Sequence, residues 1–415
     1  MILQRSAIGR VSAERMRATV ATLAGEEFAG RRVGSRGGRA AREWLAGQLA
    51  ELGGGPAVRV QEFTVAAVPE LTATPSLAWT GGPELRHRRD FVEHLATADQ
   101  PAPLRGGVVG PAADDWSGRW VLVPAGFGTG LAVLARRAGT EGARGLLVQA
   151  TRDAGGWLPK RLAGPAAGPV PILAVAADHH AELARAATGD GEVEVTASVP
   201  LRRVPVPAAN LVAPLGRPSS FPVEVLLCAH HDGVGDDPRL RLPAASDNAT
   251  GVAVVLEAAR LLAAAPPAGL GVQVALLDGE ETGADGSAYH AAQLVAAGRR
   301  PLVINVDGAG RLEGAAAVEA GGPAHPLLAA LDQAGRQAGV ALRAGPVASD
   351  NRRYAAAGLG AVGIGAGMPG YHSPADTAER VEASTLVALA RLVVTTVWML
   401  ADRTGQIHRQ SSIID

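Results

Sequence analysis

The second half of the chain repeatedly ends an apolar run with an acid or a histidine. Val225-Leu-Leu-Cys-Ala229 runs into His230-His231-Asp232, and Asp247 follows in Ser246-Asp-Asn-Ala-Thr-Gly251 at the head of a helical pattern. Asp278, Glu280 and Glu281 follow Val272–Leu277, and Asp307 follows Leu302–Val306. The loop Gly370–Thr377 supplies Tyr371 and His372. Two histidines and three carboxylates drawn from such a set suit two Zn²⁺ ions, because zinc takes imidazole nitrogen and carboxylate oxygen and leaves positions open for water; cobalt or manganese would accept the same ligands. Water shared by two metals has a lowered pKa, and a neighbouring carboxylate can take its proton and pass it to a leaving amine. Each residue alone also has a purely structural reading: His230 as a satisfied core histidine, Asp247 as a helix cap, Glu280-Glu281 as a solvated turn, Asp307 as a turn residue. Their convergence on one edge of one sheet favours chemistry, since ligands of open α/β sheets collect outside the carboxyl ends of the strands.

The elements that must position these residues follow from periodicity. From Asn210 onward, strands at Asn210–Pro214, Val223–Ala229, Val272–Leu277, Leu302–Val306 and Ala361–Gly365 alternate with helices. The helices are expected at Asn248–Ala264, Ser287–Ala297, Pro326–Ala338, Tyr354–Ala357 and Ala383–Asp402. Near the N-terminus, helical patterns at Ala13–Leu23 and Arg39–Leu52 precede a strand at Val58–Val65. Between about 69 and 207 glycine and proline become frequent and the apolar runs shorten, which predicts a separate small α/β unit. Its strands are expected at Trp120–Val123, Gly145–Val148 and Val170–Val175, and its helices at Leu131–Ala138 and His179–Ala187. Gly126-Phe-Gly-Thr-Gly130 holds half of a dinucleotide fingerprint, but the third glycine is misplaced and no acid follows where one is needed. It reads as a strand-to-helix turn.

Bulk properties remove other classes. A net charge of -1 gives no electrostatic case for nucleic acid or an anionic membrane. The single cysteine, Cys228, excludes an intramolecular disulfide and lies in an apolar strand, where it acts as a small hydrophobe. Met1–Arg10 lacks the continuous apolar core of a secretory signal, so a cytoplasmic location is expected unless a presequence has been trimmed. Leu386–Ala401, interrupted by Arg391, Thr395 and Thr396 and shorter than a bilayer needs, reads as a packed core helix.

Taken in order, these motifs resemble metallopeptidase family 28, the bi-zinc aminopeptidases. Ala229-His-His-Asp232 matches its His-x-Asp, Ser246–Gly251 its Asp-Asn-x-(Ser/Thr)-Gly, and Asp278–Ser287 its Glu-Glu-x-Gly-x-x-Gly-Ser. Asn305-Val-Asp307 and Tyr371-His-Ser-Pro-Ala-Asp-Thr377 complete the set. The resemblance implies one zinc on His230 and Asp307, a second on Glu281 and His372, and Asp247 bridging both. It makes Glu280 the general base, Asp232 the partner that orients the His230 ring, and Tyr371 a donor to the developing oxyanion. Asp376 would hold the loop that presents His372, and the Asp247–Asn248 peptide would be cis. His231 should face away from His230 by strand alternation. His87, His94, His179, His180, His290, His325 and His408 have no converging acids and are assigned no role.

The implied fold is α/β: a three-layer α/β/α mixed sheet of the zinc exopeptidase (phosphorylase/hydrolase-like) type, formed by residues 1–68 and 208–415. Residues 69–207 resemble an inserted protease-associated domain, and Phe28-Ala-Gly-Arg-Arg32 with the helix after it is similar to the family's N-terminal pair. Two places depart from the family: Ser349-Asp-Asn-Arg-Arg-Tyr354 stands where many relatives have Ser-Asp-His-x-x-Phe, and Gly308 where Met is frequent. These put substrate preference in question more than metal chemistry; Arg352 or Arg353 would either meet a substrate carboxylate or lie in a solvated loop. The expected activity is removal of N-terminal residues from peptides with a free N-terminus. Alternatives are a two-metal deacylase or carboxypeptidase, a glutaminyl-cyclase-like enzyme and a non-catalytic member of the fold. The deacylase group inserts a dimerisation domain where this chain has only the short stretch from Asp307 to His372, and neither Glu280 nor any ligand is lost.

Overall fold

The structure is a computed structural model and describes residues 9–52, 58–127, 130–188, 192–216 and 223–411, with side chains through residue 403. Met1–Ile8, part of the Gly126–Gly130 turn and the His408 side chain lie outside the described residues. The chain forms two compact units. One comprises Met1–Val65, Val206–Asp236 and Arg241–Asp415; the other comprises Ala66–Pro205 with the short excursion Asp237–Leu240.

In chain order, helices α1 (Ala13–Leu23) and α2 (Arg36–Ala50) flank a 3₁₀ turn at Glu26–Arg31 and lead into strand β1 (Arg59–Leu71). Both helices start on a serine cap: Ser12 accepts the Arg15 N–H at 3.2 Å and Ser35 the Gly38 N–H at 3.0 Å. Next come β2 (Ser76–Trp79), β3 (Phe91–Glu93), β4 (Gln100–Val109), β5 (Trp120–Val123), α3 (Leu131–Thr140), β6 (Gly145–Ala150), β7 (Ile172–Ala176), α4 (Ala177–Ala187) and β8 (Glu194–Val199). The remaining strands are β9 (Leu201–Leu215), β10 (Glu224–His230), β11 (Gly271–Leu277), β12 (Leu302–Val306), β13 (Ala316–Gly321), β14 (Leu342–Ala344) and β15 (Ala361–Gly365). Helices α5 (Thr250–Ala264), α6 (Asp285–Ala296), α7 (His325–Ala338), α8 (Asn351–Ala356) and α9 (Ala383–Ser411) are interleaved with them.

The first unit is built on an eight-stranded mixed sheet of order β1-β9-β11-β10-β12-β15-β13-β14. Strands β11, β10, β12 and β15 run parallel, while β9 and β13 border them antiparallel. Strand β10 shows how the layers arise. Val225, Leu227 and Ala229 point into a core shared with α1, α2, α5, α7 and α9, whereas Leu226 and Cys228 point into a second core with α6 and α8. A strand buried on both faces reads as a continuous apolar run. Helix α9 runs past the predicted Asp402 and, contrary to expectation, is long and apolar enough to span a bilayer. It is nevertheless a core helix, with Leu386, Leu389, Val393 and Val397 buried.

The second unit has a seven-stranded sheet of order β2-β8-β4-β5-β6-β7-β3. Strand β4 was not predicted because Pro101 and Pro103 argue against a strand; they fall where its pairing with β8 shifts register between Gln100 and Leu104, the place a ladder tolerates proline. The excursion Asp237–Leu240, which the sequence does not signal, is held by buried ion pairs. Arg88 Nε reaches Asp237 Oδ2 at 2.7 Å, Lys160 Nζ reaches Asp237 Oδ1 at 2.9 Å, and Arg88 also pairs with Glu93. Burial alone would raise the Asp237 pKa, but Arg88 and Lys160 hold it well below the usual carboxylate range.

Candidate metal centre

Register brings the predicted residues together. His230 is the last residue of β10 and lies level with Leu277 at the end of β11, so the Asp278–Glu281 turn emerges beside it. Asp307 follows β12, its N–H donating to Ile364 of β15 at 3.0 Å, and the loop after β15 carries His372. Asp247 arrives from the turn before α5. That helix starts at Thr250, not Asn248, because the chain first makes a one-turn π-helix at Ala245–Ala249 interrupted by extended backbone at Asp247. The Asp247–Asn248 peptide is cis, as expected.

The five residues form two three-residue groups that share Asp247: His230, Asp247 and Asp307, and Asp247, Glu281 and His372. His230 Nε2 lies 3.2 Å from Asp247 Oδ1 and 3.3 Å from Asp307 Oδ1. His372 Nε2 lies 3.0 Å from Asp247 Oδ2 and 2.9 Å from Glu281 Oε2. Two ligands each about 2.1 Å from one zinc at a tetrahedral angle are about 3.4 Å apart, so this spacing fits ligand edges of a zinc polyhedron. All five residues are buried, and among the described residues Glu281 Oε1 has no hydrogen-bond partner. Buried carboxylates this close need positive charge, and the donor set fits zinc.

The surrounding residues fix those positions. Asp376 accepts the backbone N–H groups of Ser246 at 2.6 Å and Asp247 at 3.1 Å, which ties the His372 loop to the bridging aspartate. Asn248 Oδ1 accepts from Gly251 at 2.9 Å and Gly308 at 3.1 Å, while its Nδ2 donates to Val306 at 2.9 Å. A Cβ on Gly251 would stand 2.3 Å from Asn248 Oδ1 and 2.4 Å from the Val306 carbonyl, so only glycine fits. Asp232 departs in part from its expected role. Its carboxylate lies 3.5 Å from His230 Nδ1, but the backbone carbonyl of Asp232 is closer, at 3.2 Å. The carboxylate instead accepts the N–H groups of Glu280 at 3.1 Å and Glu281 at 3.2 Å, because its oxygens are aimed at the neighbouring turn.

Glu280 is half-buried beside this cluster, and its carboxylate makes no hydrogen bond among the described residues. Burial raises its pKa well above the ordinary value, opposed by His230 and reinforced by Asp307, Asp350 and Glu281. Tyr371 stacks on His372 with ring centroids 3.7 Å apart. Burial and the carboxylates of Asp247, Glu281, Asp307 and Glu280 push its phenol pKa upward, which keeps it a proton donor. His231 turns away, its Nε2 3.4 Å from the Ala209 carbonyl, and His290 bonds the Tyr354 hydroxyl at 2.8 Å. Arg352 pairs with Glu319 at 2.8 Å, and Arg353 donates to the Gly283 carbonyl. Beside Gly308 stands the Met368 side chain, whose Cε would lie 2.4 Å from a Cβ there. Arg31, given no role from sequence, is fully buried and donates to carbonyls on both flanks of the loop joining His230 to Asp247. Its only sequence signal is its place in Phe28-Ala-Gly-Arg-Arg32.

A search of curated proteins finds no match. Among solved structures, the chain is similar to an aminopeptidase from Aneurinibacillus sp. strain AM-1, with a TM-score of 0.71 at 20% identity over 95% of each chain. It is equally similar to a zinc aminopeptidase from Bacillus subtilis, with a TM-score of 0.71 at 20% identity over 94% of each chain. A glutaminyl cyclase from Fimbriiglobus ruber fits more loosely, at 0.52 and 16% identity over 94% of this chain and 96% of that one. At these identities the likeness establishes the fold. Residues 210–397, the stretch that carries all five candidate ligands, match the model of Peptidase family M28.

Proposed function

We propose that this protein is a zinc-dependent aminopeptidase that hydrolyses the first peptide bond of peptides with a free N-terminus. The observation that carries the reading is the sharing of Asp247, whose two oxygens face different histidines, each in a group with its own second carboxylate. His230 and Asp307 would hold one zinc, Glu281 and His372 the other, and Asp247 both. Zinc there supplies Lewis acidity toward a peptide carbonyl and lowers the pKa of water. Glu280, whose carboxylate makes no hydrogen bond among the described residues, takes a proton from water and returns it to the leaving amine. The Tyr371 hydroxyl donates to the oxygen that becomes negative as the carbonyl turns tetrahedral. Asp232 sets the Glu280–Glu281 turn through its two backbone N–H groups. The second unit would act as an inserted protease-associated-like domain that modulates substrate access or range.

A glutaminyl-cyclase-like reading is favoured only by the looser Fimbriiglobus ruber likeness. The presence of a full second ligand pair, His230 and Asp307, supports the two-metal peptidase instead. The test is a panel of aminoacyl chromogenic amides, N-blocked amides and a peptide with N-terminal glutamine, with and without chelator. Chelator-sensitive cleavage of the unblocked amides alone is expected. Cleavage of blocked substrates, or cyclisation of the glutamine peptide without amide hydrolysis, sinks the reading.

A further inference from the structure

Arg31 sits in an unusual backbone. Ala29, Gly30 and Arg31 have consecutive positive φ values of 44°, 67° and 54°, which L-residues adopt only when their surroundings impose it. Those surroundings are the loop that joins His230 to Asp247. The Gly30 carbonyl accepts the Gly235 N–H at 3.0 Å, and the Ala29 carbonyl accepts the Asp236 N–H at 3.1 Å. A Cβ on Gly30 would stand 2.5 Å from the Leu242 carbonyl. From this seat the guanidinium donates through Nε to His231 O at 3.0 Å and through Nη2 to Ala244 O at 2.7 Å. Nη1 donates to Leu23 O at 2.6 Å and to Pro243 O at 3.1 Å.

Two features set this apart from ordinary core packing. The acceptors flank the metal ligands: His231 is next to His230, and Ala244 lies shortly before Asp247. All four are carbonyls, so among the described residues the buried charge has no carboxylate in direct contact. The charge is felt by the acids of the centre instead, those of Asp376, Asp232, Asp247 and Glu281. A guanidinium is rigid, planar and permanently charged, so its fork fixes the separation of two carbonyls as a flexible ammonium cannot.

We propose that Arg31 is a positioning residue for the metal centre: its fork sets the distance between the His230 strand end and the Asp247 turn, and its charge offsets the surplus of buried carboxylates. The inference rests on the metal-centre reading above. It predicts that Arg31 governs metal affinity, apart from any part it plays in stability.

The test measures zinc affinity of the metal-free full chain by competition with a chromogenic chelator, alongside the thermal midpoint of the metal-free form. The variants are Arg31→Gln, Arg31→Lys and, as a stability control in the same unit, Arg15→Gln, which breaks the ion pair with Glu257. Arg31→Gln is expected to weaken zinc binding roughly 10- to 100-fold, the range over which residues that orient ligands act. Arg31→Lys should recover part of that loss, and Arg15→Gln should lower the midpoint with zinc affinity unchanged. If Arg31→Gln does not fold, Arg31→Lys against wild type carries the comparison. Wild-type affinity in the folded Arg31 variants, or the same affinity loss in Arg15→Gln, overturns the proposal. A wild-type chain that binds no zinc overturns the metal-centre reading itself and this inference with it.

Discussion

Asp376 holds the backbone of Asp247, accepting its N–H at 3.1 Å through one oxygen while the other takes the Ser246 N–H at 2.6 Å. Asp376→Asn would turn one acceptor into a donor facing a buried N–H, a mismatch worth about 1–3 kcal/mol. The thermal midpoint should fall and zinc should be lost on dialysis, read by calorimetry and metal analysis. Unchanged midpoint and zinc content would count against Asp376 as the tie between the two ligand-bearing turns.

Asp247 serves both groups, whereas His372 serves one. Asp247→Ala should therefore abolish binding of both zinc equivalents, and His372→Ala should remove one. Titration calorimetry of the metal-free protein reads the stoichiometry; one equivalent retained in Asp247→Ala contradicts the shared ligand.

Glu280→Gln keeps the size of the side chain and removes its base. Turnover should fall by about 10²–10⁴-fold, the usual contribution of a positioned general base, with both zinc equivalents retained. Wild-type kcat in this variant would eliminate Glu280 as the base.

Acid sensitivity should involve Glu257, away from the centre. Burial alone would raise its pKa, but hydrogen bonds from Arg260, Arg15 and the Ser12 N–H lower it below the ordinary value. A depressed folded pKa contributes stability above the unfolded pKa of about 4.3, and that contribution disappears as pH falls through the folded value. Glu257→Gln should lower the thermal midpoint at neutral pH by an amount that shrinks as the solution is acidified. A midpoint difference that stays constant on acidification would refute the assignment.

The candidate metal edge was legible because its residues sit at the ends of strands whose apolar runs are unbroken, as at Val225–Ala229 and Leu302–Val306. The Asp247–Asn248 geometry was legible only through the family resemblance. Strands β13 and β14 were not read, since Ala316–Gly321 is rich in small residues of low strand propensity and Leu342–Ala344 is only three residues long; β13 pairs with β15 and with β14. The Asp232 carboxylate stays 3.5 Å from the His230 ring as expected, but its two bonds to the Glu280 and Glu281 N–H groups were not legible, because spacing fixes which residues are near and leaves open where a carboxylate points. Arg31 stayed hidden for a related reason: all its partners are backbone carbonyls, which carry no side-chain signature.

The shared core of the first unit bears on how the chain can be divided. Leu23, Phe28, Leu45 and Leu49, from the N-terminal helices and the turn between them, pack in one cluster with Val252, Leu256, Leu389 and Val393. A fragment cut to residues 210–397 would keep every candidate ligand yet bare that apolar face and lose the Arg31 fork. Such a fragment is expected to aggregate when expressed alone and to regain solubility when the N-terminal segment is co-expressed as a separate chain, a split-protein complementation in which the smaller piece contributes no ligand.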